Sequence, residues 1–186
     1  MSLTLLIEIE DKKVLLSRIE AQLDEKIRDR AAFELALACH AFRGFFETHH
    51  FQVEETLEEG SRALSARYGD LCVTLHHHPA QQHAGVYAVL YLAVKLGTNE
   101  KYKIVLQRPE KKRLDTSAAS VGYTLKDLPE VQQGQAIDRL QKQIEAAQAR
   151  LDNFSQERWT YSIMTDRDGP SGSFDSVSEI LVQLVR

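Results

Sequence analysis

Gly85-Val86-Tyr87-Ala88-Val89-Leu90-Tyr91-Leu92-Ala93-Val94-Lys95-Leu96 is the stretch that decides the fold. It is apolar at odd and even positions alike, as a strand buried on both faces is. The turn signal Gly97-Thr98-Asn99-Glu100 closes it. On its amino side, Leu71, Val73, Leu75 and His77 point one way, and Cys72, Thr74, His76 and His78 the other. On its carboxyl side, Lys101 to Arg108 returns with Tyr102, Ile104 and Leu106 on one face. Pro109 ends the run, because proline cannot donate to a ladder. Residues 70–108 therefore predict an antiparallel meander.

The flanking sequence is helical. Between Lys12 and Thr48, Leu16, Ile19, Leu23, Ile27, Ala31, Leu35, Ala38, Phe42 and Phe45 recur at three- and four-residue steps, on one stripe. The later half, with Phe33, Leu37 and Phe46 added, is apolar nearly all round and is expected to be sunk in the core. Residues 3–9 support two readings. Alternation of Leu3, Leu5, Ile7 and Ile9 favours a strand, whereas Leu5, Leu6 and Ile9 would equally start a helix. A shorter helix is expected over 53–68, from Leu57, Leu64 and Tyr68 on one face and Gly69 as its C-terminal cap.

Beyond the meander, 109–127 is polar with small residues and reads as a mobile connection, with Val121 to Leu125 as a further short strand. Asp127-Leu128-Pro129-Glu130 is a helix start. The helix over 128–156 carries Ile137, Leu140, Ile144, Ala147, Leu151 and Phe154 as a heptad-like seam. Trp159, Tyr161 and Ile163 alternate in a strand over 158–164. Asp166 to Ser173 reads as a glycine-rich loop, and Ser176-Val177-Ser178-Glu179 is a capping box opening a helix over 175–186. The expected fold is a single α+β domain over 1–186. An antiparallel sheet of at least four strands packs with helices, two of which pair as an antiparallel arm.

Composition narrows the function. The chain has 186 residues, 43% hydrophobic and 27% charged, enough to bury a real core. Its formal net charge of -4, with acids and bases mixed along the chain, argues against a dedicated nucleic-acid binder. Cys39 and Cys72 read as two small buried thiols. No secretory signal and no run long enough to span a bilayer is present, so a reduced, cytoplasmic protein without membrane partners is expected.

All seven histidines lie between His40 and His83. His76 and His78 share a strand face, and His83 follows in the loop. Three imidazoles so placed could hold Zn²⁺ or a similar divalent metal, or switch charge near neutral pH. No HExxH and no paired CxxC accompanies them. Arg108, Lys111, Lys112 and Arg113 form the one basic run, a candidate contact for an anion or an acidic partner. Gly169-Pro170-Ser171-Gly172-Ser173 precedes a helix start and could hold an anion through backbone N–H groups. It lacks the lysine of a phosphate loop, and Met164 and Asp175 are wrong for the ends of a calcium loop. No nucleophile elbow or dinucleotide fingerprint occurs.

The leading expectation is a non-enzymatic adaptor, chaperone-like or assembly protein. It would self-associate through amphipathic helices and offer its sheet and loops to a protein partner. The alternative is a metal-dependent enzyme or sensor centred on His76, His78 and His83, and the weakest reading is a nucleic-acid contact through Arg108 to Arg113.

Overall fold

The first helix, α1 (Leu3–Thr48), is built on the stripe that the spacing predicts, and the stripe begins earlier than expected. Ile9, Ile19, Leu23, Ala31, Ala38, Phe42 and Phe46 are buried at four- to ten-residue intervals. The strand reading of residues 3–9 is therefore corrected to helix: Leu5 and Ile9 simply extend the same stripe by two turns. The computed structural model describes residues 3–58, 61–78, 86–96, 99–108, 130–164 and 170–185. The connection over 109–127 and the short strand expected at Val121 to Leu125 lie outside them.

The end of α1 has a physical cause. His50 sits at φ 65, and its N–H donates to the Glu47 carbonyl at 3.0 Å. The Phe51 N–H donates to the Phe46 carbonyl at 3.0 Å, and the Phe46 and Phe51 rings meet at 5.2 Å. These bonds and this apolar contact make a Schellman ending, with histidine where glycine is usual.

Seven strands follow: β1 (Gln52–Glu58), β2 (Ser61–Tyr68), β3 (Leu71–His78), β4 (Val86–Lys95), β5 (Asn99–Gln107), β6 (Thr160–Met164) and β7 (Pro170–Phe174). They form one sheet in sequence order, every pair antiparallel. The meander expected over 70–108 is thus the middle of a larger one. Between β5 and β6 lies α2 (Glu130–Asp152), followed by a single 3-10 turn over Phe154–Gln156; α3 (Val177–Leu184) ends the chain.

Two expectations are corrected here. Residues 53–58 and 61–68 are paired antiparallel strands, not a helix. Leu64 and Ala66 are buried at a two-residue period that the seven-residue step from Leu57 to Leu64 concealed. Gly69 does adopt positive φ (57), but as the first loop residue of the β2–β3 hairpin rather than as a helix cap. The glycine-rich loop is corrected in its second half, where Pro170 to Phe174 is edge strand β7. Gly172 takes φ 76 beside a register irregularity opposite Tyr161 and Ile163, so it serves a β-bulge.

Contacts group the chain into two compact units, residues 1–27 with 112–157, and 28–111 with 158–186. In the first, Ile9, Ile19 and Leu23 of α1 and Ile144 of α2 are buried, and the Lys12 ammonium donates to the Gln141 amide oxygen at 2.6 Å. Phe154 is also buried, and Arg150 pairs with Glu157 at 3.1 Å.

The second unit holds the sheet. On its first face Leu64, Ala66, Val73, Leu75, Leu90, Leu92, Ile104 and Leu106 are buried. The later part of α1 covers this face. Arg43 pairs with Glu55 at 3.1 Å, and the Tyr161 hydroxyl donates to the Glu34 carbonyl at 3.1 Å. The Arg30 guanidinium lies 4.7 Å from the centre of the Trp159 ring, itself stacked on Tyr87 at 4.0 Å. This part of α1 is not wrapped all round: Phe33 and Leu37 are exposed on its outer side. The N-cap half of the capping box expected at α3 is present, with Ser176 Oγ accepting the Glu179 N–H; the Glu179 carboxylate accepts the N–H of Asp175, one residue before the N-cap. No described helix is long and apolar enough to cross a membrane.

Candidate interaction surface

Strand alternation and register define the second face of the sheet residue by residue. One cross-strand row runs Gln52, Arg67, Cys72, Lys95, Asn99. The next runs Glu54, Ser65, Thr74, Ala93, Lys101. A third runs Thr56, Ala63, His76, Tyr91, Lys103, Met164. A fourth adds Val89, Val105 and Ser162.

Burial divides this face. Val89, Val105, Thr160 and Ser162 are buried at its β4–β6 end. Across the first three rows, Arg67, His76, Tyr91, Lys95, Lys101 and Lys103 are exposed, around half-buried Ala63, Ser65, Thr74 and Ala93. Across these three rows four cations thus face a single carboxylate, Glu54; the backbone of Glu58 has the same parity one row further. Lys95, Lys101 and Lys103 form no ion pair with any described residue. Their cross-strand partners Asn99, Ala93 and Tyr91 are uncharged. The Tyr91 side chain stands 46% exposed in their midst. A floor of small residues carrying one aromatic ring and a set of unneutralised cations is chemically able to take an anion-bearing, extended ligand.

A comparison of the chain with family models, curated proteins and solved structures gave no match. The site must be read from its own chemistry.

His76 lies on this open face, opposite Tyr91 and Ala63. The backbone of His78 has the same parity, opposite Val89. His83 lies outside the described residues. His77 has the opposite parity, opposite Arg62 and Leu90 on the first face. Among the described residues no group of three histidine, cysteine or carboxylate side chains is placed to hold a metal ion. Of the basic run, Arg108 is half-buried just beyond β5, whereas Lys111, Lys112 and Arg113 lie outside the described residues. Of the Gly169-Pro170-Ser171-Gly172-Ser173 segment, everything after Gly169 belongs to β7. Its backbone groups are therefore strand groups rather than an anion-holding loop.

One polar cluster sits under α1. The Arg62 guanidinium meets Glu55 at 2.5 Å, and Arg43 meets the other oxygen of the same carboxylate. Burial pushes the neighbouring Cys39 thiol up, an effect that Arg62 only partly offsets. A thiol held in its neutral form is a poor nucleophile. The cluster, two guanidinium groups sharing one carboxylate, ties α1 to the β1–β2 hairpin.

The residues that sequence reasoning missed are Arg67, Tyr91, Lys95, Lys101 and Lys103. The signal was present. Lys101 and Lys103 have the parity opposite to Tyr102, Ile104 and Leu106, and so belong on whichever face the apolar set leaves.

Proposed function

We propose that the protein is a non-enzymatic interaction and assembly protein. It self-associates through the outer surface of α1 and offers the open face of its sheet to a partner. The observation that carries this reading is where the chain leaves its apolar surface. Six of the eleven exposed large hydrophobic residues among those described, Leu3, Ile7, Val14, Leu15, Phe33 and Leu37, are on α1. At 100° per residue, Leu3, Ile7 and Val14 fall on one line, turned away from the buried Ile9, Ile19 and Leu23. Ile7 and Val14 are one heptad apart, a spacing that a second copy of the same helix matches.

The test is the mass in solution. Light scattering over a range of concentrations is expected to give a dimer or larger assembly. Replacing Ile7→Glu and Val14→Glu together is expected to return it to monomer without changing the far-ultraviolet circular dichroism. A wild-type protein that stays strictly monomeric at every concentration overturns the self-association.

A further inference from the structure

We infer that the open sheet face binds single-stranded nucleic acid, with Tyr91 stacking on a base and Lys95, Lys101, Lys103 and Arg67 contacting phosphates. This deepens the proposed role of that face as a partner surface, and it does not depend on self-association through α1.

The first argument is charge. The chain is net negative, at -4, yet the first three rows of this face carry four cations against Glu54 alone. A solvated sheet face ordinarily pairs opposite charges across strands. Here each lysine faces an uncharged residue, so the positive charge is left available for an external anion.

The second argument is the aromatic ring. Tyr91 flanks Lys103 across β5 and His76 across β3, and Ala93, its neighbour on the same side of β4, adds almost no bulk. A planar base can therefore lie against the ring while its phosphates reach ammonium groups on either side, the combination by which proteins hold single strands without reading sequence. Lys101 and Lys103 are two residues apart on one strand, about 6.7 Å. Lys95 is one strand over, so the cations track along the strands rather than cluster at a point.

The third argument is shape. An open sheet face with an exposed ring suits a flexible strand, whose splayed bases can reach that ring, better than a duplex, whose bases are stacked and paired. An acidic protein surface would satisfy the lysines but gives no role to an exposed ring lying between them.

The experiment is fluorescence anisotropy on the intact protein with labelled oligothymidylate, oligouridylate, a duplex of matched length, and polyglutamate. Both single strands are expected to bind more tightly than the duplex, with affinity falling steeply as salt rises. Tyr91→Ala is expected to weaken single-strand binding about five- to 150-fold. Lys101→Gln with Lys103→Gln is expected to reduce the slope of log affinity against log salt by about 1.4. These side chains are exposed, so unfolding temperature is expected to stay unchanged and controls for folding. The inference is overturned if neither single strand binds at low salt. It is equally overturned if Tyr91→Ala binds as wild type does, or if polyglutamate binds as tightly as the oligonucleotides, which would make the face a site for acidic proteins. Mass measured on the same samples separates these outcomes from failure of self-association.

Discussion

Tyr161 links the sheet to α1 and makes stability depend on alkaline pH in a calculable way. Its side chain is 3% exposed, and its hydroxyl donates to the Glu34 carbonyl at 3.1 Å with the Glu34 carboxylate at 3.5 Å. Burial, first, and then the Glu34 charge push the phenol well above its ordinary value of 10.0. Above pH 10 the unfolded chain releases this proton while the folded chain keeps it. The unfolded state then binds fewer protons, so stability falls as pH rises. The contribution is fully present below pH 10 and is lost progressively as pH climbs toward the folded value. The limiting slope is about 1.4 kcal/mol per pH unit, which by pH 11 amounts to a loss of about 1.4 kcal/mol. Tyr161→Phe removes that slope. Its own cost at pH 8 is about 0.5–1.5 kcal/mol, the net worth of one hydrogen bond. The assay is urea unfolding of both proteins at pH 8 and pH 11. Comparing the two differences cancels the other tyrosines, including Tyr102, which its hydrogen bond to Glu100 pushes up to about 12. If Tyr161→Phe loses as much stability as wild type between the two pH values, burial against Glu34 is not what holds this phenol neutral.

Three further substitutions test the fold. Phe42 is fully buried, with its ring 4.7 Å from that of Phe46, so Phe42→Ala is expected to lower unfolding free energy by about 3–5 kcal/mol in urea. His50 ends α1 at φ 65, so His50→Gly is expected to raise it by about 0.5–1 kcal/mol. An unchanged midpoint would mean the left-handed conformation carries no strain there. A Cβ on Gly172 would lie 2.9 Å from the Phe174 ring at a φ of 76, so Gly172→Ala is expected to cost about 1–3 kcal/mol by the same measurement.

Where one periodicity dominated, the sequence was readable. The stripe from Leu16 to Phe45 specifies α1, the double-sided run from Val86 to Val94 specifies β4, and the seam from Ile137 to Phe154 specifies the side of α2 that includes buried Ile144. Reading failed where two periods fit the same residues. Leu57, Leu64 and Tyr68 satisfy a helical spacing, while Leu64 and Ala66 satisfy a strand. The outcome rests on β3, a partner across which Leu64 meets Leu75 and Ala66 meets Val73. That pairing is tertiary, and no local propensity contains it. At Leu3 to Ile9 the alternation was coincidental, since Leu3 and Ile7 are exposed while Ile9 joins a stripe continued by residues far beyond the window.

The candidate surface was illegible for a different reason. Acids and bases are mixed along the chain, and the one basic run, Arg108 to Arg113, contains none of the cations of this face. The β4–β5 hairpin sorts them. Its register sets Lys95 opposite Asn99 and Val94 opposite Glu100, which sends Glu100 to the first face and Lys101 and Lys103 to the second. A slip of one residue would reverse that sorting. The buried Leu90–Ile104 pair, with Val94 on the same face, prevents it, because a slip would carry those side chains off the apolar face. Apolar burial on one face therefore specifies the charge pattern on the other. No two lysines stand directly opposite one another, so the repulsion that direct cross-strand placement would bring is avoided. The sheet can hold its cations unneutralised without a large cost to stability, as a surface kept ready for an anionic strand requires.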